Sequence, residues 1–159
     1  MGNHPYNAQT PRGFIDEKAF RTDVMPRMQR SKLVCEIVLE KTTDADIKEF
    51  AGLEQRGAAT LIDILQDLGT PQIALDGETT AFLVKLKHIH GVAFDKEYMA
   101  ATLSDHEFLL KLAQRYLDNP AGKPPGRDKE TWHMAALALL VFTEHLALCR
   151  KIIAAQETP

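Results

Sequence analysis

Apolar residues run without a break from Met134 to Phe142 and resume after Glu144-His145 at Leu146, Cys149, Ile152 and Ile153. A helix over Thr131–Ile153 with this pattern is apolar nearly all round, and such a helix must be covered by neighbours. The run is too short to cross a bilayer, which takes about twenty apolar residues. The pattern therefore predicts a central helix of a bundle.

The rest of the chain reads as further helices. Phe14 to Val24 has the pattern of a short lead-in helix with Asp16 as N-cap. Pro26 interrupts it, because proline breaks helix interiors, so the first long helix is expected from Met25 to Lys41. Asp44 caps a second helix carrying Ile47, Phe50, Ala51, Leu53, Leu61, Ile62, Ile64, Leu65 and Leu68. Gly69 is its expected C-terminal residue, and Pro71 blocks continuation. Gly52 and Gly57 inside it suggest a close helix–helix approach. A short helix over Glu78–His88 occupies the following connection and ends by Gly91. A third long helix, capped by Asp95, carries Tyr98, Met99, Thr102, His106, Leu109, Ala113, Tyr116 and Leu117 until Asn119-Pro120 stops it. The loop Ala121–Asp128 is rich in proline and glycine, and the last helix starts near Lys129. No segment alternates as a strand does.

Short links join the first long helix to the second and the third to the last, so each pair should be antiparallel. The longer connection between the pairs is enough to travel the bundle's length. The expected fold class is all-α: a ferritin-like four-helix bundle with one long crossover bearing a short extra helix. The expected domain spans 13–156, behind a flexible tail over 1–12.

Composition narrows the role without naming it. The chain has 159 residues, 45% hydrophobic and 26% charged, with a net charge of -3. This suits one domain with one core. No basic stripe argues for nucleic acid, and no basic amphipathic segment argues for a membrane surface. Cys35 and Cys149 both fall in apolar helical patterns and read as small core fillers. The polar start, Met1–Thr10, has no signal-peptide pattern. The expected location is cytoplasmic if the chain is full length, and periplasmic or envelope if a signal was removed. Met1-Gly2 is compatible with a cloning start.

Three stretches carry a family resemblance. They are Gly91-Val92-Ala93-Phe94-Asp95-Lys96-Glu97-Tyr98 with Asp105-His106, Glu144-His145-Leu146, and Leu39 to Ala51. In order and spacing, from about Met28 to Ile153, the chain resembles the bacterial domain-of-unknown-function family 4142. The resemblance implies a ferritin-like fold and a periplasmic or outer-membrane setting. The chain departs from that pattern where family members tend to have a Glu, a Met and an Asp-His pair. Ser31 stands at the first of these places, and Glu54, Gly57 and Ala58 at the others.

The candidate chemistry is metal binding within the bundle. A ferritin-like di-iron site needs two Glu-x-x-His elements and two further glutamates. Here one such element occurs, Glu130 with His133, in the first turn of the last helix, where capping is the commoner role. His106 lies on the buried stripe with Met99, Thr102, Leu109 and Ala113. His145 borders the buried face between Phe142 and Cys149. In an antiparallel pair the two imidazoles approach each other with Asp105 and Glu144 beside them. With Glu54, this set could hold one iron, zinc, manganese or copper ion, since imidazole and carboxylate suit such ions. The same histidines also read as neutral core residues hydrogen-bonded to carboxylates or tyrosines. His88 and His90, two apart, point to different faces, and His4 lies in the tail. Ser104 beside Asp105-His106 does not face them, and no phosphate loop or dinucleotide fingerprint is present. Asp95 and Tyr98 have sufficient structural roles as a cap and a packed aromatic.

The leading functional expectation is a non-catalytic binding or structural bundle. The alternative is a metal-binding bundle with an oxidative or metal-handling role. Self-association through the apolar last helix is a third expectation.

Overall fold

The computed structural model describes residues 14–158. The expected tail, with His4, lies outside the described residues. The described chain is all-α: α1 (Glu17–Lys41), α2 (Ala45–Asp67), α3 (Gly77–His88), α4 (Gly91–Leu117) and α5 (Asp128–Gln156). No strand occurs among the described residues.

The helix starts are written in side chains. Asp16 accepts a hydrogen bond from the Ala19 amide, Asp44 from those of Asp46 and Ile47, and Asp76 from that of Thr79. Each satisfies amides that have no partner within the helix. Gly69, with φ of +87°, follows α2 in the left-handed conformation that glycine adopts freely.

Two starts differ from expectation. The lead-in and the first long helix are one continuous helix with Pro26 inside it. An interior proline costs about 3 kcal/mol. Phe20, Val24, Met25 and Met28, all buried on either side of it, offset that cost by packing. Asp95 does not cap α4, which begins a turn earlier at Gly91. Asp95 instead accepts the Thr42 hydroxyl at 2.8 Å, joining the α1–α2 link to α4.

The helices form two antiparallel hairpins, α1–α2 and α4–α5. Contacts fix how the hairpins meet. Glu17 lies near Tyr116, Arg27 near Asp105, Cys35 near Tyr98 and Thr42 near Asp95. Rising numbers on α1 meet falling numbers on α4, so these two are antiparallel. The connection between the hairpins runs the bundle's length along α1. It is tied at one end by Arg21 to the Thr70 hydroxyl, midway by Gln29 to the Ile73 backbone, and at the far end by Lys41 Nζ to the carbonyls of Leu86, Lys87 and Ile89.

The core falls into two apolar clusters. One holds Phe20, Met25, Leu65, Leu112, Tyr116, Ala135 and their neighbours. The other holds Val38, Ile47, Phe50, Phe94, Tyr98, Met99 and Cys149, closed by Leu86 of α3. Cys35 and Cys149 are free and buried, as core fillers should be.

Helix α5 is less enclosed than its composition suggests. Met134, Ala135, Ala138, Phe142, Leu146 and Cys149 are buried, whereas Leu137 is 63% and Leu140 57% exposed. Four long helices give each member an outward face, so an all-round apolar helix keeps some apolar surface in solvent. Among the described residues no helix is long and apolar enough to cross a membrane.

Candidate metal centre

A polar layer lies among these apolar clusters, built by three helices. Glu54 of α2, His106 of α4 and His145 of α5 place one ligand atom each within 4.8 Å of one another. Glu54 and His106 are only 7% and 3% exposed. His106 Nε2 lies 3.0 Å from Glu54 Oε1, and His145 Nδ1 makes a close contact with the same oxygen. The imidazole centres are 5.7 Å apart. Phe50 and Phe142 close over the rings, Phe50 edge-on to His145 at 5.8 Å and Phe142 edge-on to His106 at 6.1 Å.

Sequence periodicity brings each histidine here. His106 follows Thr102 by one turn, and its Nδ1 lies 2.9 Å from the Thr102 carbonyl oxygen. A carbonyl only accepts, so Nδ1 carries the proton. The Nε2 lone pair of a neutral His106 is thereby aimed at the carboxylate and His145. Two states satisfy that arrangement: a second proton that makes His106 an imidazolium, or a cation shared by the three side chains. A backbone carbonyl behind the far nitrogen is also the usual way a ligating histidine is oriented.

Electrostatics favour a charged carboxylate. Burial pushes Glu54 up, but hydrogen bonds from His106 and His145 outweigh it and hold its carboxyl at about 2. Burial lowers His106, and its contact with Glu54 reverses this and raises it. Burial raises Cys35 to about 12 and Tyr98 well above the usual phenol range. Neither is an anion near neutral pH, so Glu54 supplies the negative charge of the inner layer.

The remaining candidates lie elsewhere. Asp105 is one residue from His106 but turns toward α1, where it pairs closely with Arg27 and lies 3.7 Å from Arg30 Nε. Glu144 is exposed, as are Glu130, His133, His88, His90 and Ser104. Neighbours in sequence on a helix point about 100° apart, so a ligand's neighbour is poorly placed to be a second ligand.

A cavity opens beside the layer, lined in part by Ser31, Cys35, Gly57, Ala58 and Arg30. Its volume is about 40 Å³, room for about three or four waters when one needs roughly 10–15 Å³. Gly57 does not serve a close helix approach, because an added Cβ would meet nothing within 4 Å. At Gly52 the nearest atom to such a Cβ is the tip of Arg56, on the same helix. A larger cleft outside, of about 460 Å³, shares Arg27, Arg30, Ala101 and Asp105 with this cavity. The partition between them is therefore largely side chains. Arg27 stacks on Phe108 at 3.6 Å and Arg30 lies over Phe82 at 4.7 Å.

Fold and layer together define a class: an all-α bundle carrying a buried two-histidine, one-glutamate layer. Residues 33–152 match the family described as Domain of unknown function (DUF4142), and the chain belongs to that family. No curated protein and no solved structure matches it.

Several contributors to the layer have no strong local signal in the sequence. Thr102 is legible only as the residue one turn before His106. Arg27 and Arg30 look like ordinary surface charges on α1, and nothing in their neighbourhood announces that they engage Asp105.

Proposed function

We propose that the protein is a metal-binding bundle that holds one divalent transition-metal ion through Glu54 Oε1, His106 Nε2 and His145 Nδ1. The arrangement of two hairpins and one full-length crossover is that of ferritin-like bundles, and we assign the fold to that type. The observation that carries the metal reading is the oriented His106. Its Nδ1 is committed to a carbonyl, and its Nε2 faces a buried carboxylate and a second imidazole. Ligand atoms around an ion with bonds near 2.0–2.2 Å stand roughly 3–4 Å apart. The three atoms already lie within 4.8 Å of one another, near that spacing.

Two imidazoles and one carboxylate with positions left over suit Fe(II), and also Zn(II) or Mn(II). Bound there, such an ion would act as a Lewis acid or redox centre. The protein's own part is to orient the imidazoles and neutralise charge with Glu54, with Phe50 and Phe142 packed against the rings.

A second reading has its own observation. Glu54 already satisfies both histidines at hydrogen-bonding distance, so the layer also stands as a hydrogen-bonded core of a non-catalytic bundle. Elemental analysis of untagged protein, followed by titration with Co(II) and Zn(II), separates the two. The metal reading expects one ion per chain and loss of at least a hundredfold in affinity in His106→Ala/His145→Ala. It fails if the wild-type protein neither carries stoichiometric metal nor binds these ions more tightly than the double variant.

A further inference from the structure

Gly57 and Ser31 leave a space that packing does not require. Both line the cavity that also holds the faces of Glu54, His106 and His145. No atom lies within 4 Å of a Cβ built on Gly57, so a larger side chain would enter that space. An ion held by three protein side chains keeps positions open for further ligands, and the cavity is the space adjoining them.

The charge around that space points to the ligand's sign. Arg30 also lines it, and its buried Nε donates no hydrogen bond. The nearest carboxylate oxygen to that Nε, Asp105 Oδ2, is 3.7 Å away, too far for a hydrogen bond. Arg27 is neutralised by its close pair with Asp105. Arg30 is also paired with Glu78, whose Oε1 lies 3.7 Å from its other guanidinium nitrogen, so Nε is the donor left over; beside a metal ion, that donor favours an anion. Room for about three or four waters beside the layer suits a ligand of two or three heavy atoms.

We propose that this cavity is a second-ligand pocket, which takes a small monoanion the size of azide, formate or hydroperoxide on the open face of Glu54, His106 and His145, with Arg30 as its counter-charge. The inference rests on the metal reading and deepens it.

The test uses the full chain loaded with Co(II) and titrated with azide, followed by the cobalt visible spectrum. Wild type is expected to show a saturable spectral change. Gly57→Leu, which fills the pocket from α2, is expected to keep its Co(II) affinity within about threefold and to weaken azide at least tenfold. Ser31→Leu fills the same space from α1 and serves if the Gly57 variant does not fold. Arg30→Gln is expected to weaken azide several-fold while leaving the Co(II) affinity in place. A wild-type Co(II) spectrum indifferent to azide overturns the pocket, as does azide binding that the filling variants leave unchanged. Failure of wild type to take up Co(II) appears before any azide is added, and it removes the metal reading together with this one.

Discussion

At one end of the bundle the helices meet through hydrocarbon and aromatic rings. Phe20 stacks on Tyr116 at 4.8 Å, Trp132 meets Tyr116 edge-on at 5.6 Å, and Leu65 and Ala135 are fully buried. Further along, α2, α4 and α5 meet through a carboxylate and two imidazoles, next to a cavity. Both regions are buried, and they contribute to stability in different ways. Burial of apolar surface stabilises in proportion to area. Burial of charge recovers its desolvation cost only through partners. The aromatic end is thus where the fold is held, and the polar layer contributes less, because the hydrogen bonds to Glu54 must first offset its burial.

The largest expected effect breaks the aromatic end. Phe20→Ala removes a ring that is 1% exposed and should destabilise the protein by about 3–5 kcal/mol in urea unfolding. A loss below about 1 kcal/mol would mean that this end is not what holds the bundle. Next comes removal of the polar layer as a unit. Glu54→Leu/His106→Leu/His145→Leu should leave the metal-free protein as stable as before or up to about 4 kcal/mol more stable, as replacement of buried ion pairs often does. A clear drop in the same measurement would show that the layer is itself a structural element. A smaller effect sharpens the picture of the cavity. Gly57→Ala should raise the thermal midpoint, corresponding to about 0.5–1 kcal/mol, because alanine is the better helix former and no atom obstructs its Cβ. Destabilisation there would reveal crowding at the cavity wall.

The smallest effect near neutral pH concerns the thiols of the second apolar cluster. Burial first, with Glu54 adding to it, raises Cys35 and Cys149 from 9.0 to about 12. In the unfolded chain these thiols ionise near 9, while in the folded protein they stay protonated to about 12. Their contribution is therefore intact below pH 9 and is lost as pH rises from about 9 to 12, since the unfolded state releases protons first. Native protein at pH 8 should resist thiol-disulfide reagents, and Cys35→Ala/Cys149→Ala should flatten the alkaline limb of the stability curve. Rapid labelling at pH 8 would contradict this burial.

Much of the fold is legible in local chemistry. Asp16, Asp44, Gly69 and the proline-glycine loop act where their side chains and φ preferences say they should. His106 and His145 could be brought together on paper, because each sits on a buried stripe and their helices form a hairpin. Pro26 misleads because a propensity of about 3 kcal/mol is outweighed by residues that pack only in the finished bundle. Asp95 misleads because its partner, Thr42, belongs to a distant turn. Asp105 and Glu144 were plausible by adjacency, but a helix turns adjacent residues apart.

The one-dimensional pattern of apolar and capping residues determined that this chain forms helices, where nearly all of them stop, and that α4 and α5 pair. Those are properties of each segment with its nearest neighbours. Only the tertiary structure decided that Glu54 stands between the two imidazoles, that Asp105 leaves them for Arg27, and that Gly57 faces open space. Each of these depends on the rotation and height of one hairpin against the other. That alignment is set by the sum of many core contacts and is not encoded at any single position.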